Sequence, residues 1–450
     1  MTSASDRLSA STDPELASVV RRAPFADSPF VGERGQRARQ RIVDAALQLF
    51  GELGYHGCGI KRITELSGCS RAAFYQYFSS KEDLFRQLSG RVARLLADAT
   101  DDPAPITADR TGYQTLRSWL DRYSEIYGAY APVFETFQSA AASDEAVASG
   151  GARVAVRTFA GLKDRVEGTR LPARHLDGVI RAFPETAARA NGVGRLLHPA
   201  GLDGGLSGGR TNQAIADVFH RTLFAPDEGV NVHAPPRGPR KAARVVDVTA
   251  ADEAARELRG DPSLGPAAQR TRAQLLEAGH RVFAEKGYYA TRVTDVVQAA
   301  GVSHGIFYRY FDNKTHLFRL LAERASAGLT AALDRVPTLA GLAVGEHASS
   351  DLRAWLADYA TTSAEEAAIR AMWNEAMSRD PRLGAVSAAA TEQYRRTCAA
   401  LLAPRGFGDA DAEAVVLMVL LDGMTAPRPT PSRLETAAQV IERGLLAEPA

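Results

Sequence analysis

The chain has 450 residues, 45% of them hydrophobic and 24% charged, an ordinary balance for a globular protein with ample material for a core. The longest apolar run, 414–421, is far too short to span a bilayer, and Met1 to Val20 holds no continuous apolar run of the kind a secretory signal needs. Cys58, Cys69 and Cys398 offer no disulfide framework and no metal-type spacing, so the expectation is a cytoplasmic protein without membrane association, metal or cofactor.

Residues 1–36, rich in Ser, Ala, Asp and Pro, read as a disordered tail that ends where Arg34, Arg37, Arg39 and Arg41 mark the first helix. From Gln36 to Leu53, Ile42, Val43, Ala46, Leu49 and Phe50 fall at helical spacing, and Gly54 supplies the stop. Two short helices follow around a turn at Gly68, the first carrying Ile60, Ile63 and Leu66, the second opened by Ser70. In that second helix Phe74, Tyr77 and Phe78 lie at i, i+3 and i+4 and should face the core, which leaves Tyr75 pointing out. Ser79-Ser80-Lys81-Glu82 then starts a longer helix reaching about Leu96.

Beyond it the chain stays helical, with Leu116-Arg117-Ser118-Trp119-Leu120 and Tyr123 on one helix. Pro184 should interrupt a helix over Leu176–Ala190, a glycine-rich loop is expected over Asn191–Gly209, and a helix over Thr211–Phe224. The prolines between 225 and 268 give a linker composition, with one short helix over Ala250–Arg259. Pro235-Pro236-Arg237-Gly238-Pro239-Arg240-Lys241 inside it resembles a minor-groove hook but lacks the Arg-Gly-Arg-Pro order, which favours a solvated basic linker.

At Arg270 the chain begins to repeat itself. Shifted by 233 positions, Arg37–Phe85 aligns without a gap on Arg270–Phe318. The matches are glycines, turn residues and aromatics: Phe50/Phe283, Gly54/Gly287, Tyr55/Tyr288, Gly68/Gly301, Ser70/Ser303, Phe74-Tyr75/Phe307-Tyr308, Tyr77-Phe78/Tyr310-Phe311 and Lys81/Lys314. In this second copy Thr291 is the expected N-cap of a helix whose apolar face is Val293, Val296 and Val297, and Ser303 the cap of the next. Leu352-Arg353-Ala354-Trp355-Leu356 with Tyr359 echoes the first body, so the duplication extends past the repeated module. Ala414–Leu421 is apolar all round, as a buried bundle helix should be, and Arg433–Leu446 supplies an amphipathic helix after it.

The net charge of +1 becomes informative once divided by region. Arg34–Ala97 carries 11 Lys/Arg against 5 Asp/Glu and Ala267–Thr330 carries 9 against 5, so the remainder is acidic. Two basic modules on acidic bodies is the pattern of a protein that meets a polyanion through those modules alone.

Both copies resemble the DNA-binding domain of the TetR/AcrR family of transcriptional regulators. The match is close in the second: Gly287-Tyr288-Tyr289-Ala290-Thr291, Val293-Thr294-Asp295-Val296, Ala299-Ala300-Gly301-Val302-Ser303, Phe307-Tyr308-Arg309-Tyr310-Phe311 and Asn313-Lys314, in order and spacing. The first copy departs at Cys58 and Cys69, where the second has Thr291 and Val302. The resemblance covers about fifty residues per copy and implies an all-α fold of two tandem units, each a three-helix helix-turn-helix domain followed by a helical effector and dimerisation domain. The expected organisation is a tail (1–36), a first helix-turn-helix domain (37–85), a first regulatory domain (86–225), a linker (226–268), a second helix-turn-helix domain (269–318) and a second regulatory and dimerisation domain (319–450).

By resemblance and position, base edges face Arg71, Ala72 and Ala73 in copy one and His304, Gly305 and Ile306 in copy two, at helices opened by Ser70 and Ser303. An arginine can fork onto guanine, whereas isoleucine offers only apolar contact, so the half-sites should differ. Tyr75 and Tyr308 either donate to phosphate oxygens or close the edge of the core; Lys61, Thr291 and Thr294 are candidates for base or phosphate contacts, Lys61 equally for plain solvation. Lys81 and Lys314, near helix N-termini, are expected phosphate clamps. Trp119, Tyr123, Trp355, Tyr359 and Trp373 either line an effector cavity or simply fill cores.

These readings give a sequence-specific regulator, with repression the expected sign, that binds a double-stranded DNA operator and answers to a small, largely apolar effector. The family's last two helices pair in a four-helix bundle, here either within one chain as a pseudo-dimer or between chains as a homodimer. The alternative is a ligand-sensing or interaction protein whose first helix-turn-helix no longer reads DNA. No Ser/His/Asp, Cys/His or phosphate-loop pattern points to an enzyme.

Overall fold

A computed structural model describes residues 32–224 (save 103, 203 and 204), 264–335, 348–373 (save 368 and 371), 381–425 and 430–446. Most of the expected tail and linker, with the short helix and the basic proline-rich stretch inside the linker, lies outside the described residues. Those described are all-α, without a strand; Ile106 and Val166 make an isolated bridge. No described helix is long and apolar enough to cross a membrane.

The chain divides into two compact units, one running to Ala93 with Pro132–Gly151, the other comprising the rest. The first unit holds α1 (Glu33–Gly57), α2 (Ile60–Ser67), α3 (Arg71–Tyr77) and the start of α4 (Lys81–Thr100). Gly54 breaks α1 with φ 68°, so the expected stop is real, although one further helical turn follows it. The core forms where these helices cross: Phe50, Phe74, Phe78 and Phe85 are at most 1% exposed, with Phe50 edge-on to Phe85 at 5.5 Å. Burying such rings contributes about 2–3 kcal/mol each. Arg86 pairs with Asp144 at 3.2 Å, which ties α4 to the Pro132–Gly151 segment.

In the second unit, α5 (Arg110–Ala141, as far as Ala131), α6 (Glu145–Asp164, from Ala152), α7 (Ala173–Leu197) and α8 (Gly208–Phe224) belong to the body of copy one. Pro184 does not interrupt α7, contrary to expectation, and the helix continues to Leu197, so the glycine-rich loop shrinks to about ten residues. A proline removes one backbone hydrogen bond, but the buried face of Val179, Ile180, Phe183, Thr186 and Ala187 holds the helix on both sides of it. Proline has the other outcome in α5, where Tyr130 leaves helical geometry two residues before Pro132.

The second copy supplies α9 (Pro266–Ala290), α10 (Val293–Ala300), α11 (His304–Tyr310), α12 (Lys314–Asp334), α13 (Ala348–Glu365), α14 (Pro381–Leu402), α15 (Ala410–Thr425) and α16 (Pro431–Val440), the last extended by a wider turn over Ile441–Leu446. Ala414 to Leu421 are all buried, as the unbroken apolar run requires. They are covered from both copies: α7 and α8 pack against α15, and against α16 with its terminal turn. The last two helices of each copy therefore share one bundle.

Candidate nucleic-acid interface

Each head is built on a left-handed glycine and a ring set. Gly68 and Gly301 close α2 and α10 at φ 64° and 66°, a conformation that costs other residues roughly 1 kcal/mol or more. The turn places the next helix with Phe74 or Phe307 fully buried beneath it. Tyr77 is 6% exposed and Tyr310 partly buried, while Tyr75 and Tyr308 stand out at 40% and 56%. The helical phase read from the sequence is thus the phase of the structure.

Arg71, Ala72 and Tyr75 are exposed on α3 and Ala73 is half-buried; His304, Gly305, Ile306 and Tyr308 are exposed on α11. The Ser70 hydroxyl accepts from the Ala73 amide at 3.1 Å, whereas Ser303 takes the same N-cap position without a side-chain bond. Lys61 lies exposed with Glu65 at 3.9 Å, and Thr294 is exposed on α10. Gln76 and Arg309, each next to its outward tyrosine, and Arg62 and Arg292, at the starts of α2 and α10, are also exposed. The rotation that singled out Tyr75 also turns Gln76 outward, so this signal was available in the sequence.

Thr291 departs from expectation. It is 1% exposed, its hydroxyl donates to the Gly287 carbonyl at 2.7 Å, and the cap of α10 is Arg292, whose amide donates to Asp295 Oδ2 at 2.8 Å. A threonine spent on the break at Gly287 has no side chain left for DNA. The lysines are used the same way. Lys81 Nζ donates to the Tyr55 carbonyl at 3.0 Å, and Lys314 Nζ to the carbonyls of Tyr288 and Thr291 at 2.7 and 2.9 Å, each ammonium lying over the tyrosine ring. The break at Gly54 or Gly287 strands carbonyls that lack helical donors, and the lysine answers them. Both lysines tie the break to the following helix, a use that the expectation of phosphate clamps did not include.

Two further ties are shared under different names. Arg41 Nε donates to the Ser67 carbonyl at 3.4 Å, and Gln274 Nε2 to the Ala300 carbonyl at 2.7 Å, each at the end of the helix before the turn. Arg39 lies over the Phe78 ring at 5.4 Å and Arg272 over Phe311 at 5.9 Å. Burial pushes the Cys58 thiol up to about 11, keeping it protonated at neutral pH, which gives no support to a redox role.

The aromatic residues considered for an effector cavity sit in cores. Trp119 stacks on Tyr123 at 5.2 Å and donates to Thr100 Oγ1 at 3.2 Å. Trp355 donates to the Ala332 carbonyl at 3.0 Å, Tyr359 pairs with the Tyr394 hydroxyl, and Trp373 joins the core of the second head 5.7 Å from Phe318.

Residues 42–88 and 275–321 both match the family described as bacterial regulatory proteins, tetR family. The HTH-type transcriptional repressor AcnR of Corynebacterium glutamicum is 34% identical over 71 residues, 16% of this chain and 38% of that protein. The HTH-type transcriptional regulator TtgR of Pseudomonas putida is 41% identical over 56 residues, 12% and 27% of the two chains. The HTH-type transcriptional regulator RutR of Escherichia coli is 35% identical over 74 residues, 16% and 35%. The matched region spans less than half the length of each of these relatives.

Proposed function

We propose, for a chain that belongs to the tetR family of bacterial regulatory proteins and carries two of its units in tandem, a sequence-specific DNA-binding regulator whose two copies pair within one polypeptide. The bundle carries this reading: α7 and α8 of copy one pack on α15 and α16 of copy two, the arrangement that two chains would otherwise supply to one another. Each copy also presents a short helix with an outward tyrosine, suited to a phosphate oxygen, and an exposed N-terminal turn suited to base edges.

Because Arg71-Ala72-Ala73 and His304-Gly305-Ile306 offer different chemistry, the operator has two unlike half-sites. The protein acts as a repressor in the cytoplasm, and a small, largely apolar effector in a helical body releases DNA by favouring a spacing of the heads that the operator does not fit. The expected domain limits, with a linker of some forty residues, suit intrachain pairing.

Native mass spectrometry of the free protein, followed by footprinting on genomic fragments, tests this. The expected outcome is the mass of one chain and a protected site with dissimilar halves. Two chains protecting a strictly palindromic site would overturn intrachain pairing, and no protected sequence at all would overturn the regulator.

A further inference from the structure

The last helices of the two copies are in register. Arg210 is the third residue of α8 and Arg433 the third of α16, and each reaches across to a carboxylate of the other copy. Arg210 forks onto Asp409 at 2.7 to 3.0 Å, and Arg433 approaches Glu185 at 3.5 Å. In that register Arg221 and Gly444 hold equivalent positions, each fourteenth from its helix start.

They face one another. Arg221 Nε donates to the Gly444 carbonyl at 2.7 Å, and a Cβ on Gly444 would lie 2.5 Å from the Val218 carbonyl oxygen and press on Thr222 Oγ1. The guanidinium is sealed from water, its side chain 1% exposed, and its Nη2 donates at 2.6 Å to Glu413, which is fully buried and also holds Arg405.

We infer that Arg221 and Gly444 form a knob and a hole that admit one copy of each kind to the bundle, with Glu413 neutralising the knob. This rests on the reading that the copies pair, and it applies whether they pair within a chain or between chains. Two copies of the first kind would bring two Arg221 side chains together where a glycine is required, and neither would bring Glu413. A buried guanidinium without its counter-charge is strongly disfavoured. Two copies of the second kind would oppose glycine to glycine, leaving a void and Glu413 with Arg405 alone. The half-exposed pairs mostly share the polarity, with Arg189 on Asp422 at 2.7 Å and Arg210 on Asp409. Arg433 on Glu185 runs the other way at a longer distance, and so weighs less. Repulsion in the wrong pairings, more than attraction in the right one, sets the choice.

Two full-length variants with different affinity tags test the inference. Gly444→Arg gives a chain with two knobs and Arg221→Gly a chain with two holes. Alone, the two-knob chain is expected to lose its closed bundle, with an unfolding midpoint lower by about 5 °C or more. Mixed, the chains restore one native pair, the first copy of the two-knob chain with the second copy of the two-hole chain. A one-to-one complex should appear by native mass and tag capture. If Gly444→Arg does not fold alone, co-expression reads the same property, since the two-hole chain should rescue it into a soluble complex. A Gly444→Arg chain with wild-type mass and midpoint would overturn the inference, as would failure of the two-hole chain to capture or rescue it. A wild-type protein of two chains would overturn intrachain pairing alone, and the mixing result would still decide the knob and hole.

Discussion

In copy one α3 opens Arg71-Ala72-Ala73, and the Ser70 hydroxyl accepts from the third of these residues; in copy two α11 opens His304-Gly305-Ile306, and Ser303 makes no such bond. Beneath those helices the copies are nearly superposable in kind, with Phe50, Phe74, Phe78 and Phe85 answered by Phe283, Phe307, Phe311 and Phe318, all at most 1% exposed. The difference marks where each constraint acts. A buried ring cannot change volume without loss of packing, whereas an exposed side chain at the start of a helix is held only by what it binds. Copies that keep the first set and lose the second share a fold, and under the proposed function they would not share a half-site.

The strongest way to break this comparison is through the cores. Phe74→Ala and Phe307→Ala each remove a fully buried ring, at an expected cost of about 3–5 kcal/mol to the head concerned. Hydrogen exchange should show each substitution opening its own head and sparing the other. If Phe74→Ala also loosened α10 and α11, the heads would not be independent units.

A smaller effect tests the reading surfaces. Arg71→Ala should relax preference at one position of one half-site by roughly 1–3 kcal/mol, while Ile306→Ala should act only at the other half-site, and more weakly. Binding assays on operators mutated one half at a time check both. Unchanged affinity with Arg71→Ala, together with weakened binding on substituting Tyr308, would make copy one a head that no longer reads DNA. The tyrosines come next. Tyr75→Phe and Tyr308→Phe remove a hydroxyl for about 1 kcal/mol each, expected as a several-fold loss spread evenly over sequences. Sequence-dependent losses would put them among the base readers instead.

The heads were legible in the sequence because they are local. A glycine at positive φ, a cap, and rings at i, i+3 and i+4 are each specified within eleven residues, and the phase that exposes Tyr75 and Tyr308 follows from them. What escaped depends on partners distant in the chain. Lys81 and Lys314 turn inward because the break twenty-seven residues earlier leaves carbonyls to satisfy. Thr291 is drawn under for the same reason. Pro184 passes unnoticed inside α7 because the helix is held by its buried face, and that α7 and α8 pack on α15 and α16 is a matter of side chains some two hundred positions apart, such as Arg221 and Glu413. Arg41 and Gln274 perform one task with different residues, which alignment by identity cannot reveal.

The bodies carry a quieter version of the same contrast. Arg117 and Arg353 occupy matching places in the repeated Leu-Arg-X-Trp-Leu stretch, yet Arg117 pairs with Asp121 on its own helix at 3.1 Å, while Arg353 joins α13 to α16 through Glu435 at 2.7 Å and Glu442 at 3.0 Å. Hydrogen bonds from Arg353 hold the Glu435 carboxyl down to about 2, against an ordinary value near 4.3. A carboxylate with a depressed folded pKa adds stability that is fully present above its unfolded pKa and is lost as pH falls through the folded one. The contribution should therefore be complete above about pH 5 and decline toward pH 2. Arg353→Met keeps the aliphatic stem and removes the donors, so its unfolding midpoint should lie below that of wild type at pH 7 and converge on it as pH falls toward 2. Arg117→Met, which loses only a same-helix pair of about 0.3–0.5 kcal/mol, should run nearly parallel to wild type across that range. Equal behaviour of the two variants would mean that the matching arginines do the same work, and that the bodies diverged less than the heads.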